Sequence, residues 1–278
     1  MKKINNIIFW IISIILMLFI VSYQKITGPT YPQKGNKEIY GQLIDYSLPR
    51  SNDGNYSVTV KIYDKSCKLE GFANFRRYKS YDEWSKIPLT RNNDELSFEI
   101  PHQPAAGKVM YHIYLKEKDK KYIPLTENPI ILRFRDPVPM WIIAFHLIFI
   151  FSSITFAIRT GFEAYFKGPN LKIMTILTIL FLILGGFVFG PLMQKYAFGE
   201  FWTGFPFGKD LTDNKTLIGF IFWLLALWAT YKKPHTRIWH IIAAVVLIGV
   251  YLIPHSLLGS ELDYRTIDPK SIENNIYE

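Results

Sequence analysis

Apolar residues gather into five long runs, at positions 4–23, 138–158, 173–193, 216–231 and 238–258, with charged connectors between them. A bilayer core about 30 Å thick takes about 20 mostly apolar helical residues, because hydrocarbon offers no water to backbone N–H and C=O groups. Runs 138–158 and 173–193 contain no charged residue and meet that length outright. Run 216–231 is shorter but densely apolar, and run 238–258 has the length while carrying His240 and His255 near its ends. The first run follows Lys2 and Lys3, as the hydrophobic part of a signal sequence does. Residues 19–25 lack the paired small residues a signal peptidase needs, so the pattern predicts an uncleaved signal-anchor; cleavage would leave four spans.

Between the first two runs the period changes to two. Tyr56, Val58, Val60 and Ile62 alternate with polar neighbours, and Val109, Tyr111, Ile113 and Leu115 repeat the pattern, as do Ile130, Leu132 and Phe134. Further strands are predicted at 38–45, 68–78 and 96–100, giving at least six in about 100 residues, the density of a small β-sandwich. The domain layout is therefore 1–23 anchor, 24–136 β-sandwich, 137–258 four-helix membrane bundle with a structured loop at 194–215, and 259–278 acidic tail.

Charge adds orientation. The 278 residues are 49% hydrophobic with a net charge of +9 and a mean hydropathy of +0.10. Lys and Arg in short loops resist translocation. Lys2 and Lys3, the Arg159 to Lys172 loop and the group Lys232, Lys233 and Arg237 are therefore expected in the cytoplasm. The β domain, the 194–215 loop and the carboxy terminus are expected outside, in a cell (inner) membrane. Much of the positive charge is thus topological and the rest is scattered, which excludes nucleic acid as a partner. Gly-rich phosphate loops, Gly-x-Ser-x-Gly elbows and Cys-x-x-Cys pairs are absent. The single cysteine, Cys67, has no disulfide partner and reads as a buried structural thiol.

Residues 99–115, Glu-Ile-Pro-His-Gln-Pro-Ala-Ala-Gly-Lys-Val-Met-Tyr-His-Ile-Tyr-Leu, resemble the strand, proline-containing turn and strand of immunoglobulin-like or fibronectin-type modules. The whole layout resembles bacterial polytopic membrane proteins with an extracytoplasmic immunoglobulin-like domain. This resemblance implies a binding or spacer module and no catalytic residue.

Candidate chemistry concentrates near the outer ends of the spans. His146 lies about 12 Å into the second run at 1.5 Å per residue, and ionisable groups at that depth face protein interior. Its stripe continues through Phe149, Ser153 and Thr160, while His240, Ala244, Tyr251 and His255 form a second. Gly186 and Gly190 predict close helix approach. The 194–215 segment then packs aromatics, glycines and acids together, including Trp202, Phe205 and Phe207. One reading brings His146, Gln194, Glu200, Asp210, Asp213, His255 and Glu261 to a shared outer mouth. There, two imidazoles with carboxylates would suit zinc, iron or manganese, or His146 and His255 would ligate one haem. The other reading makes the aromatics an interfacial belt, with Asp213 capping the fourth span. His235 and His240 are expected at the solvated cytoplasmic boundary, and His102 and His112 on the surface of the β domain.

Two functions follow. The favoured one is a non-enzymatic binding, scaffold or assembly protein of the cell envelope, anchored in the lipid bilayer and engaging an extracytoplasmic protein through residues 35–136. The competing one is a membrane-embedded metal- or haem-dependent enzyme or redox subunit.

Overall fold

A computed structural model describes residues 3–233, 235–254, 259 and 261–266, with side chains from residue 6 onward. The chain divides into two compact units: Met1–Pro29 with Val138–Ser260, and Thr30–Pro137 with Glu261–Glu278.

The first unit is helical. It comprises α1 (Lys3–Thr27), α2 (Met140–Tyr165), one continuous helix made of α3 (Leu171–Leu182), a π-helical stretch (Ile183–Phe189) and α4 (Gly190–Phe198), then α5 (Leu211–Lys232) and α6 (Ile238–Leu252). Asn6–Thr27, Met140–Tyr165 and Leu171–Phe198 are long and apolar enough to cross a membrane. Helix α5 opens on Asp213 and Lys215 and α6 has 15 residues, and neither joins that group.

Small side chains set the packing of this unit. Ala157, Ala226, Ala229 and Ala243 are fully buried, with Leu182, Trp223 and Leu247 filling the space between backbones. At Gly185 an added Cβ would sit 2.8 Å from the backbone nitrogen of Ile150, so α2 and the π-helical stretch touch almost backbone to backbone. Of the two expected stripes, Ser153, Thr160, His240, Ala244 and Tyr251 are buried and His146 and Phe149 are partly buried.

The second unit is all β. Strands β1 (Gln33–Ile39) and β2 (Gln42–Leu48) form an antiparallel hairpin. The single strand expected at 38–45 is therefore two strands. The period-2 alternation reads straight across the two-residue turn, where Tyr40 (φ 52°) and Gly41 (φ 80°) both adopt the left-handed region that such hairpins require.

A six-stranded sheet has the order β3 (Ser51–Asp53), β11 (Ile130–Arg135), β9 (Lys108–Glu117), β5 (Leu69–Arg77), β6 (Ser85–Pro88), with β10 (Ile123–Pro124) also beside β9. A three-stranded sheet has the order β4 (Val58–Tyr63), β8 (Glu95–Ile100), β7 (Thr90–Asn92). All pairs are antiparallel except β3 with β11. Val58, Val60, Ile62, Phe98 and Ile100 from one sheet share a core with Val109, Tyr111, Ile113, Leu115, Leu132 and Phe134 from the other. Burial of each such side chain stabilises by about 1.5–3 kcal/mol, so the alternation read from sequence is what closes the core.

Two expectations fail at turns. Tyr56 does not join Val58 inside; its ring lies exposed against Gly54, and its carbonyl accepts from Asn52 Nδ2 at 3.0 Å. Cys67 is exposed rather than buried, in the turn that follows β4, at φ 57°. The side chain inside that turn is Asp64, whose carboxylate accepts from the Leu69 N–H (2.8 Å), Gln42 (2.9 Å), Ser66 (2.7 Å) and Arg91 (2.6 Å). Burial alone would raise the Asp64 pKa, but these donors outweigh it and hold it at about 2.

Residues 261–266, the start of the expected tail, pack onto the β unit. Leu262 donates its N–H to Ala106 O at 3.1 Å, Tyr264 is buried with its hydroxyl on Gln103 Oε1 at 3.2 Å, and Arg77 lies over the Tyr264 ring at 4.9 Å. Gly107 leaves room for the Tyr264 hydroxyl, which a Cβ would meet.

Candidate functional site

Helix α4 extends to Phe198, so Gln194 is helical and the connecting loop is residues 199–210. Gly199 ends the helix at φ 86°, a left-handed cap. Asp210, rather than Asp213, caps α5: its side chain accepts from the Thr212 N–H at 2.7 Å. An aspartate immediately before the first helical residue reaches the free amides there, whereas Asp213 already stands inside the helix.

Asp213 performs a different task. Its Oδ2 accepts from the backbone N–H groups of Thr203 (2.7 Å) and Gly204 (2.9 Å), and Asn214 Oδ1 accepts from the Phe205 N–H at 2.7 Å. Gln194 completes the network, its oxygen accepting from Thr203 Oγ1 at 2.6 Å and its nitrogen donating to Asp213 Oδ1 at 3.0 Å. Thr203 Oγ1 also lies 3.2 Å from Asp210 Oδ2. Gln194, Asp210 and Asp213 are thus brought together, with Thr203 as their hub. Gly204 has no room for a Cβ, which would stand 2.5 Å from Asp213 Cβ. Trp202 turns its Nε1 to Phe205 O at 3.1 Å and stacks its ring on Phe187 at 5.6 Å. Glu200 is exposed and makes no hydrogen bond or ion pair among the described residues.

His146 is half-buried on α2, with Nδ1 3.0 Å from Gly185 O. A carbonyl only accepts, so Nδ1 carries the proton and Nε2 the lone pair. The next residue, Gly186, meets Thr216 of α5, where an added Cβ would lie 2.5 Å from Thr216 Cγ2. His255 lies outside the described residues. Glu261 belongs to the β unit, where it pairs with Lys79 and, at 2.6 Å, with Lys108. Burial would raise the Glu261 pKa, but the two ammonium groups hold it below the usual carboxylate value. Among the described residues no group of three or more His, Cys, Asp or Glu side chains could hold a metal ion.

Other buried polar groups escape the sequence reading. Lys215 is buried in the first turns of α5 and donates to Ile253 O at 2.9 Å, while Gln24 of α1 donates to Tyr251 O at 3.0 Å. These two side chains satisfy carbonyls that the end of α6 leaves open.

At the other end of α2, Arg159 and Glu163 are fully buried, with Nη1 and Oε2 2.8 Å apart, close for an ion pair but out of line for a hydrogen bond. Arg159 Nη2 donates to Asn6 Oδ1 at 2.5 Å, and its guanidinium lies 5.7 Å from the Trp10 ring. Glu163 Oε1 accepts from the Asn170 N–H at 2.8 Å, and Arg237 donates to Gly168 O at 2.8 Å. The i,i+4 spacing of Arg159 and Glu163 is the signal in the sequence, and it is masked because the apolar run ends at Ile158 and both residues then fall in a basic connector.

His240 is likewise buried rather than solvated, 2.8 Å from Thr230 Oγ1 through Nε2. In the β unit His112 is bonded on both nitrogens, to Thr126 O at 2.7 Å and Tyr114 Oη at 3.0 Å. His102 packs edge-on against Phe134 at 5.6 Å, and burial lowers its pKa despite Asp136.

No protein-family model matches the sequence, and no curated protein is significantly similar to it.

Proposed function

We propose that this chain is a binding or scaffold protein of the cell envelope, with a helical membrane anchor and an extracytoplasmic β unit that engages a protein partner. The observation that carries the reading is how the candidate carboxylates are used. Asp210 caps a helix, Asp213 holds loop amides, and Glu261 pairs with two lysines. Side chains so engaged build the scaffold, and the exposed surface of the β unit is left for recognition.

The β unit is read as an immunoglobulin-like sandwich. Its order of β3-β11-β9-β5-β6 against β4-β8-β7, with a parallel first pair, supports that assignment. Five spans are read from α1, α2, the continuous α3–α4 helix, α5 and α6. Residues 30–137 and 261–266 belong to one unit, which favours an even number of crossings between them. Taken with basic connectors inside, this supports an amino terminus in the cytoplasm and a β unit outside.

Cys67 is the sole cysteine and is exposed, so it reports the side directly. A membrane-impermeant maleimide should label Cys67 in intact cells with a permeabilised outer layer, and Lys233→Cys in a Cys67→Ser background only after lysis. The reverse pattern overturns the topology. For the partner, crosslinking of the full-length protein in cells should give a discrete adduct through the β unit; its absence with several crosslinker lengths overturns the binding role.

A cofactor-bearing alternative keeps one supporting observation: His146 is held by a carbonyl at Nδ1 and leaves Nε2 without a partner among the described residues, the arrangement of many metal-bound histidines. Stoichiometric metal, or a Soret band abolished by His146→Ala, would favour it over the scaffold reading.

A further inference from the structure

The outward face of β6, β5 and β9 differs from the rest of the β unit. Alternation fixes which side chains point out: Ala73 of β5 and Ile113 of β9 are buried, so Phe72, Asn74, His112 and Tyr114 face away from the core. They align in rows across the strands. Lys86, Asn74 and His112 are direct neighbours in one row, and Pro88, Phe72 and Tyr114 in the next.

The cations of this face rest on rings. Lys86 Nζ lies 3.9 Å from the Phe72 ring centroid and 5.8 Å from that of Tyr122, while the Arg76 guanidinium lies 4.9 Å from Trp84. Neither Lys86 nor Arg76 has a carboxylate partner among the described residues, whereas Lys116 is paired with Glu70 at 3.0 Å. Cation–π contact orients a charge without neutralising it. The two cations therefore stand preset, with no carboxylate at ion-pair distance among the described residues, although Arg76 shares a cleft with Asp82, itself held by Arg77, and Glu83.

We propose that this face binds an acidic polypeptide segment, whose carboxylates meet Lys86 and Arg76 while its backbone reaches the Asn74 carboxamide, which makes no hydrogen bond among the described residues. The proposal rests on the binding role above and adds the surface and the chemistry of the partner.

Three features select a polypeptide over a sugar polymer. Sugar recognition needs open ring faces, but Phe72 is stacked on Tyr114 at 5.1 Å and lies beneath Lys86. Asn74 supplies both donor and acceptor between the cations, as a peptide bond requires. Strands spaced about 4.8 Å apart set side chains at intervals that an extended chain can follow.

The test uses the full-length protein in nanodiscs of neutral lipid and a fluorescein-labelled deca-glutamate peptide, read by anisotropy. Binding should occur at 50 mM NaCl and weaken at 200 mM, as expected for exposed charge pairs. Lys86→Glu with Arg76→Glu should weaken it by about tenfold or more, and Lys86→Gln by less. Lys65→Glu, an exposed cation in the turn after β4, should leave it unchanged. No binding, or equal loss from Lys65→Glu, overturns the proposal. So does tighter binding of dextran sulfate that the same double variant abolishes, which would reassign the face to a polyanionic glycan. A cellular crosslinked adduct that persists in the double variant would leave the binding role standing and remove this surface from it.

Discussion

Removing Glu163 tests the helical unit where it carries the highest cost. In Glu163→Ala, the buried guanidinium of Arg159 keeps Asn6 and the Trp10 ring but loses its only carboxylate partner among the described residues. Stranding one member of a buried pair costs about 3–5 kcal/mol, because the remaining charge is left uncompensated in a poorly polarisable site. The Asn170 N–H loses its acceptor as well, adding about 1 kcal/mol. Snorkelling of Arg159 toward water would recover part of this, so the expected net loss is about 3–5 kcal/mol. The measurement is SDS-induced unfolding in mixed micelles, followed by tryptophan fluorescence, with Trp10 beside the site as a local reporter. Arg159→Leu with Glu163→Leu should return to within about 1 kcal/mol of the parent, since apolar side chains of similar size replace a buried pair at little cost. A single variant within about 1 kcal/mol of the parent, or a double variant as unstable as the single, would refute the reasoning.

Asp213→Ala should free the amides of Thr203 and Gly204, at about 1–3 kcal/mol for each buried donor left unsatisfied. Hydrogen exchange should then accelerate over residues 203–205 and remain unchanged in α2. In the β unit, the Asp64 pKa is about 2 against an ordinary aspartate value near 3.9. Its stabilisation is therefore complete above about pH 4 and is lost as pH falls toward about 2. Asp64→Asn should cost about 1.5–3 kcal/mol at neutral pH and flatten that acid limb, as measured by exchange in β5. Tyr264→Ala should open residues 261–266 to exchange and proteolysis, with a loss of about 3 kcal/mol for a buried aromatic.

Sequence pattern specifies structure directly where one physical signal dominates. Val109, Tyr111, Ile113 and Leu115 are buried in alternation because one sheet face must leave water, and the longest apolar runs are helices because nothing in them competes. It fails where a local turn interrupts a continuing pattern. Tyr40 and Gly41 split one expected strand into a hairpin, and the Asp64 turn places Cys67 outside. Charged residues were the hardest. Arg159 and Glu163 read as loop residues because each alone resists burial, and their spacing on one helical turn, which lets them enter together, has meaning only once the helix is known to continue to Tyr165. At the candidate site, Gln194, Asp210 and Asp213 were legible only as members of a seven-residue group, of which the structure brings these three together. Their use was not, because it depends on the loop amides of Thr203 and Gly204, which carry no side-chain signature.

The docking of residues 261–266 on the β unit has a consequence for biogenesis. The strands up to Arg135 are made first, yet the groove around Gln103, Ala106 and Gly107 receives Leu262 and Tyr264 after more than a hundred further residues have been translated. At 5–20 residues per second that interval is on the order of ten seconds. Throughout it the nascent module keeps an open flank that a chaperone or protease can read, and a ribosome that stalls within the helices leaves the flank permanently uncovered. Synthesis past Tyr264 is thus what lets the groove around Gln103 and Gly107 close.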